Sequence, residues 1–287
     1  MVESYPVMKS SILTPLLALG LSVSASAQVL MLDFGGTATD RSTNSPYHTV
    51  NGTYSDGSWN NIGLVDPGSV VFGNGDTATG VSVNMGLNSG TTGTTINLAT
   101  QPTNLLTGTA YTAGSNIYTS NSIGRDGVFG GSSGTTTPWV GVQITGLAAG
   151  TYDVYVAARN TNTGTAQSNY DQIVFAGKSV TGNFDFGGYG SGTLSYDGSS
   201  PTNASSSWVQ EGNSGENYVK LSVSITAGEA INIAVQGDGA SGGANRGFLN
   251  AIQIVNTSTI PEPSAFAALG GLAALGLAAA GRRRHRR

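Results

Sequence analysis

Short apolar runs separated by turn signals, two of them cleanly of period two, constrain this chain more than any other feature. Residues 151–157 read Thr-Tyr-Asp-Val-Tyr-Val-Ala and residues 81–85 read Val-Ser-Val-Asn-Met. In a strand this alternation sends one set of side chains to each face of a sheet. Further runs lie at 29–34, 70–72, 140–144, 172–175, 179–184, 208–210, 218–225, 230–235 and 248–255. Ala227-Gly228-Glu229 makes a tight turn between two of them. Asn51-Gly52, flanked by Val, Thr and Tyr, predicts a hairpin over 47–54 with Tyr47 and His48 on its first strand. About ten to twelve strands with turns between them predict an all-β fold, a two-sheet β-sandwich. No self-similar period of about 20–50 residues is present, which argues against a solenoid.

Residues 86–137 are rich in Gly, Thr, Ser and Asn, with Leu105-Leu106 and Val128-Phe129 as short apolar pieces. A structureless loop of that length is unusual in a compact domain, so short strands or helical turns are expected there.

The two ends read differently from the body. Lys9 precedes an apolar stretch at 12–23, and Ala25 and Ala27 fit a signal-peptidase site with cleavage before Gln28. Glu3 sits poorly in such a leader, and Met8 makes a cleaner start than Met1. At the other end Pro261-Glu262-Pro263 precedes residues 264–281, which carry no charge, and then Arg282, Arg283, Arg284, His285, Arg286 and Arg287. As a helix, 264–281 spans about 27 Å, close to the hydrocarbon thickness of a thin bilayer. The prolines start that transmembrane helix, and the arginines hold its end on the cytoplasmic side. The chain therefore divides into a signal peptide (1–27), an exported β-sandwich (28–259) and a sorting and anchor segment (260–287).

The order Pro-Glu-Pro, short apolar helix, arginine cluster resembles the PEP-CTERM sorting signal of Gram-negative bacteria. The resemblance covers about a tenth of the chain. It implies processing by an exosortase as well as signal peptidase, and delivery to the cell surface or extracellular matrix alongside exopolysaccharide. Within the body, residues 144–155 resemble the central hairpin of galactose-binding-like jelly rolls, and Gly247-Phe248-Leu249-Asn250-Ala251-Ile252-Gln253-Ile254 resembles their closing strand. Leu32-Asp33-Phe34-Gly35-Gly36 is a common opening of such modules. This implies a jelly-roll sandwich; a fold by itself does not fix a function.

The arginines of the tail mask the charge of the body. Residues 28–259 hold six Lys/Arg against fourteen Asp/Glu, a net of −8, whereas the whole chain is at −4. That surface argues against nucleic acid as a partner and fits neutral polymers or divalent cations. The chain has no cysteine, so no disulfide contributes. His48 is the one histidine outside the tail, which leaves a poor set for zinc. Gly130-Gly131-Ser132-Ser133-Gly134 matches a nucleophile elbow only in form, since no helix pattern follows it.

What remains is binding. Trp59, Trp139, Trp208 and Tyr47 are candidate sugar-stacking rings, and Asn60 beside Trp59 adds an amide for hydroxyls. Asn245 and Arg246, before the last run, are placed either to reach a sandwich rim or to satisfy loop carbonyls. Asp33, Asn74, Asp76 and Asp238 are candidate ligands of a structural calcium ion; no other cofactor is expected. The reading is a non-catalytic surface or matrix protein that associates with exopolysaccharide. A structural or adhesive matrix protein with no specific ligand is the alternative, and a polysaccharide hydrolase with a carboxylate pair is a weaker third.

Overall fold

The computed structural model describes residues 28–35, 45–50, 58–88, 93–107, 117, 123–131, 138–162, 171–195, 207–238 and 245–258. The strands are β1 (Val29–Phe34), β2 (Asn60–Ile62), β3 (Ser82–Asn88), β4 (Thr95–Asn97), β5 (Asn104–Leu106), β6 (Gly127–Phe129), β7 (Val140–Thr145) and β8 (Gly150–Ala157). They continue as β9 (Gln172–Ser179), β10 (Phe184–Asp185), β11 (Gly190–Leu194), β12 (Val219–Ile225), β13 (Ala230–Gly237), β14 (Phe248–Leu249) and β15 (Ala251–Asn256). One helical turn, α1 (Pro46–Val50), lies between β1 and β2.

These strands build an all-β sandwich. A five-stranded sheet, β12-β8-β15-β1-β2, faces a seven-stranded antiparallel sheet, β10-β4-β3-β7-β13-β9-β11, and a three-stranded sheet, β14-β6-β5, lies beside them. The period of two sorts the core. Leu30, Leu32 and Phe34 of β1, Val154 and Val156 of β8, and Ile252 and Ile254 of β15 pack against Val140, Val142 and Ile144 of β7 and Ile231, Ile233 and Val235 of β13. Each such side chain contributes about 1.5–3 kcal/mol on burial.

Both sheets are also covered on their outer faces, so their central strands read as nearly continuous apolar runs. On the five-stranded sheet Val29, Met31, Tyr155, Ala157 and Val255 meet Tyr47, Trp59, Ile117, Ile123 and Trp208. On the seven-stranded sheet Ala234 meets Ile96, Trp139, Phe184 and Phe186. Gly141 makes room there, since a Cβ on it would come within 2.6 Å of Ile96.

Four expectations need correction. The hairpin over 47–54 is not what forms at its start: Tyr47 and His48 lie in α1. Ser45 caps that turn, accepting the His48 N–H at 3.2 Å, and Pro46 follows at the first helical position. Asn51-Gly52 lies outside the described residues. The run 179–184 breaks after Ser179, where the chain bends before β10. The run 248–255 is split at Asn250: Phe248 and Leu249 pair with β6, while Ala251 onward pairs with β1 and β8. Residues 144–155 are an arch rather than a hairpin, because β7 and β8 belong to different sheets. Gly146 turns that arch at φ +77°, with its Cα side pressed on Gly80 O, where a side chain would collide. The stretch 86–137 contains β4, β5 and β6, short strands of the kind expected there.

The ladders give the sandwich two distinct ends. β1 and β15 are antiparallel, with Val29 opposite Val255 and Asp33 opposite Ala251. Residues 28 and 257–258 therefore leave from one end, here the tether end, and Asn256 N–H donates to Gln28 O at 3.1 Å there. Phe34, Ala157, Gln172, Gly237 and Val140 mark the opposite end, the rim.

The β12–β13 turn at the tether end closes on Glu229. Its Oε2 accepts the Thr226 N–H at 2.7 Å and meets Lys178 Nζ at 2.9 Å. The Thr226 N–H, followed by Lys178, lowers the Glu229 carboxyl from 4.5 to about 2. A lowered carboxylate stabilises the fold above its unfolded value and loses that contribution as pH falls. Glu229→Gln is expected to lower the thermal midpoint at neutral pH, with the gap to the parent protein closing between 4.5 and about 2. A gap that stayed constant with pH in a melting series would contradict this pairing.

Candidate functional site

Buried amides build the rim. Asn250 Nδ2 donates to Asp126 O at 2.8 Å, and Asn250 Oδ1 accepts the Arg159 N–H at 2.6 Å. Gln172, fully buried, donates to Arg246 O at 3.1 Å and accepts the Phe248 N–H at 3.0 Å. Asn88 accepts the Trp139 N–H at 2.7 Å, and Trp139 Nε1 donates to Asn245 O at 3.1 Å. Segments distant in sequence are thereby fixed relative to one another by groups that stay satisfied only in this arrangement.

On that platform Arg246 reaches across Phe129. Its guanidinium carbon lies 5.6 Å from the ring centroid, and Phe129 packs on Phe248 at 5.4 Å. Both Arg246 and Phe129 are partly buried. The guanidinium makes no hydrogen bond or ion pair with any described residue, and its Nε is buried with no acceptor. Lys178 and Lys220, by contrast, are ion-paired at 2.9 and 2.8 Å with Glu229 and Asp153. Asp238 is exposed nearby, its N–H donating to Asp171 O at 2.9 Å. The rim thus holds a partly buried planar cation, whose donors no described residue uses, over an aromatic ring. Asp126 and Asp33 lie buried beneath it, and the Gly35 backbone packs on the Asp126 side chain.

The aromatic candidates occupy other places. Trp59, Tyr47 and Trp208, at 6%, 5% and 3% exposure, cover the outer face of the five-stranded sheet. Trp139, at 5%, covers the seven-stranded sheet with its ring edge-on to Phe186 at 5.8 Å. The structure gathers three of the four into one cluster and presents none as an open stacking face. Tyr155 lies within this cover, 5.8 Å from Tyr47 and 6.0 Å from Tyr218, with Lys220 Nζ 5.5 Å from its ring centroid. Burial, followed by the Asp153 charge, pushes the Tyr155 phenol well above its ordinary value. It therefore stays protonated at neutral pH.

Asn60 is a staple. Its Nδ2 donates to Met31 O at 2.9 Å and Val71 O at 2.8 Å, and its Oδ1 accepts the Val71 N–H at 2.7 Å. The calcium candidates are dispersed. Asp33 is buried in β1 near the rim, and Asp238 follows β13. Asn74 and Asp76 close on each other at 2.6 Å in a turn whose Gly73 N–H donates to Val29 O, at the tether end. Among the described residues no group of three His, Cys, Asp or Glu is placed to hold a metal ion. His48 is partly buried in α1. Pro261, Glu262, Pro263 and the arginines Arg282, Arg283, Arg284, Arg286 and Arg287 lie outside the described residues, as does the 264–281 segment. No helix among the described residues is long and apolar enough to cross a membrane.

Sequence reasoning reached Arg246 and missed its partner. Phe129 stood in a Gly/Ser/Thr stretch where Val128-Phe129 was the only apolar signal nearby. No family model, curated protein or solved structure matches this chain.

The Asn60 geometry carries a direct expectation. Asn60→Ala leaves Met31 O and both polar groups of Val71 without the partners they have now. Such a loss is expected to cost roughly 2–4 kcal/mol, read as a lower urea midpoint at unchanged m-value. A midpoint equal to that of the parent protein would show that the amide is not a staple.

Proposed function

We propose that this is an exported, non-catalytic surface or matrix protein whose sandwich is a jelly roll and associates with exopolysaccharide through the rim. Its C-terminal segment is read as a PEP-CTERM signal, with Pro261-Glu262-Pro263 as the sorting motif, an apolar helix as a temporary inner-membrane anchor and the arginines as the stop. Signal peptidase and an exosortase are the processing partners of this reading. The observation that carries the binding part is Arg246, a rim guanidinium over Phe129 with donors that no described protein group uses. Sugar hydroxyls accept from such a fork, and the ring beside it suits the apolar face of a hexose unit. The β1–β15 seam supports the same reading, since a body anchored through the chain after residue 258 holds the opposite end, the rim, away from the membrane.

A second reading has its own support. The burial of Trp59, Trp139 and Trp208 favours a structural or adhesive matrix protein with no specific ligand. A glycan array separates the two. The 28–259 fragment is expected to bind a polysaccharide with and without calcium. Arg246→Gln is expected to weaken that binding about tenfold or more, since hydrogen bonds from a charged donor are worth about 1.5–3 kcal/mol. The same variant loses the cation–π contact with Phe129, about 0.5–1 kcal/mol of folding stability, too little to unfold the domain under binding conditions. Binding to no glycan under either condition would leave the structural reading.

A further inference from the structure

Gln28 stands where the export reading meets the fold. The small residues Ala25 and Ala27 place the cut before it, and β1 begins one residue later. Its carbonyl accepts the Asn256 N–H at 3.1 Å, and the next residue, Val29, is buried at 2% exposure. The residue is thus pinned on its carbonyl side. Its side chain is exposed and makes no hydrogen bond with any described residue. Gln28 lines a shallow groove of about 320 Å³ whose walls include Phe72, Thr77, Thr79, Val81 and Leu147, with no carboxylate among the described residues that line it. An N-terminal ammonium here would have largely apolar neighbours and no counter-ion among those residues.

We infer that, once the leader is removed, Gln28 closes on itself to pyroglutamate and caps the exported chain. The neutral α-amine attacks Cδ of its own side chain. The new N–Cδ bond forms, the Cδ–Nε2 bond breaks, and Nε2 leaves as ammonia carrying the proton released by the amine. The step needs no oxidant and no second substrate. An ordinary α-amine, with a pKa of about 7.7–8.0, is partly neutral at physiological pH, so the nucleophile is present. The ring takes in N, Cα, Cβ, Cγ and Cδ and leaves the Gln28 carbonyl untouched. Asn256 therefore keeps its acceptor and the β1–β15 register is unchanged. The product is neutral and compact, which suits the groove better than an ammonium, and it denies aminopeptidases a free amine. This inference rests on the export reading, because it needs Gln28 to become the first residue.

The test uses the full chain recovered from cells that export it. α-Amines are chemically labelled on the intact protein before digestion, and the N-terminal peptide is read by mass spectrometry. The expected peptide begins at residue 28, carries no label and is lighter than its encoded mass by one ammonia. Gln28→Ala should give the same start with a labelled amine and an unchanged thermal midpoint. A labelled Gln28 would overturn the cyclisation and leave the export reading intact. A chain that keeps residues 1–27, or begins elsewhere, would overturn both.

Discussion

The antiparallel pairing of β1 with β15 joins the beginning and end of the described chain near the middle of the five-stranded sheet. β1 has β15 on one side and the short parallel β2 on the other, and its six residues are all buried. Without β15 that strand would expose an unpaired edge and an apolar row on each face. The contact spans nearly the whole body, so it forms only after the last strand is available, the kind of non-local pairing that makes β folds slow. Everything at the tether end follows from it: the anchoring of Gln28, the 73–76 turn against Val29, and the exit of both ends on one side.

In a chain without cysteine, side-chain amides do the long-range stapling. Asn60 ties β1 to the Val71 bridge, Asn250 ties the segments at 126 and 159, and Gln172 ties 246 to 248. Gln143 and Asn232 link β7 and β13 at 2.8 Å on the outer face, where Asn232 also reaches Tyr189 Oη at 2.8 Å. Each amide offers two donors and an acceptor, enough to hold two segments at once. A buried network of this kind is costly to leave half made, so it selects one arrangement of strands. The rim is the exception: Arg246 is held in place by its backbone and by Phe129, while no described residue accepts from its side chain.

The apolar strand runs were readable because their side chains meet the core: β1, β7, β8, β12 and β13 lie where the pattern put them, and β15 takes the second part of its run. The placement of the aromatics was not readable. Trp59, Trp139 and Trp208 sit between strand runs, and sequence does not say whether such a ring faces water or covers the back of a sheet. Asn60 looked like a ligand group beside Trp59, because its partners Met31 and Val71 are neighbours only after β1 and β2 pair. Tyr47 was drawn into a hairpin by Asn51-Gly52, while Ser45-Pro46, a cap followed by a first-turn proline, carried the local signal that prevailed. From its place before the last strand, Arg246 was open to a rim position or to satisfying loop carbonyls, and the platform under it depends on β6, β9 and β14 meeting, which no local pattern encodes.

The seam itself is open to a direct measurement, because the chain has no cysteine of its own. Val29 and Val255 face each other across it. Directly opposed antiparallel residues have Cα atoms about 4.5–5.5 Å apart, within the reach of a disulfide. The double variant Val29→Cys, Val255→Cys is expected to oxidise to a single intramolecular disulfide, with no free thiol on titration and a raised thermal midpoint. Persistent free thiols, or crosslinking only between molecules, would contradict the pairing on which this account of the fold depends.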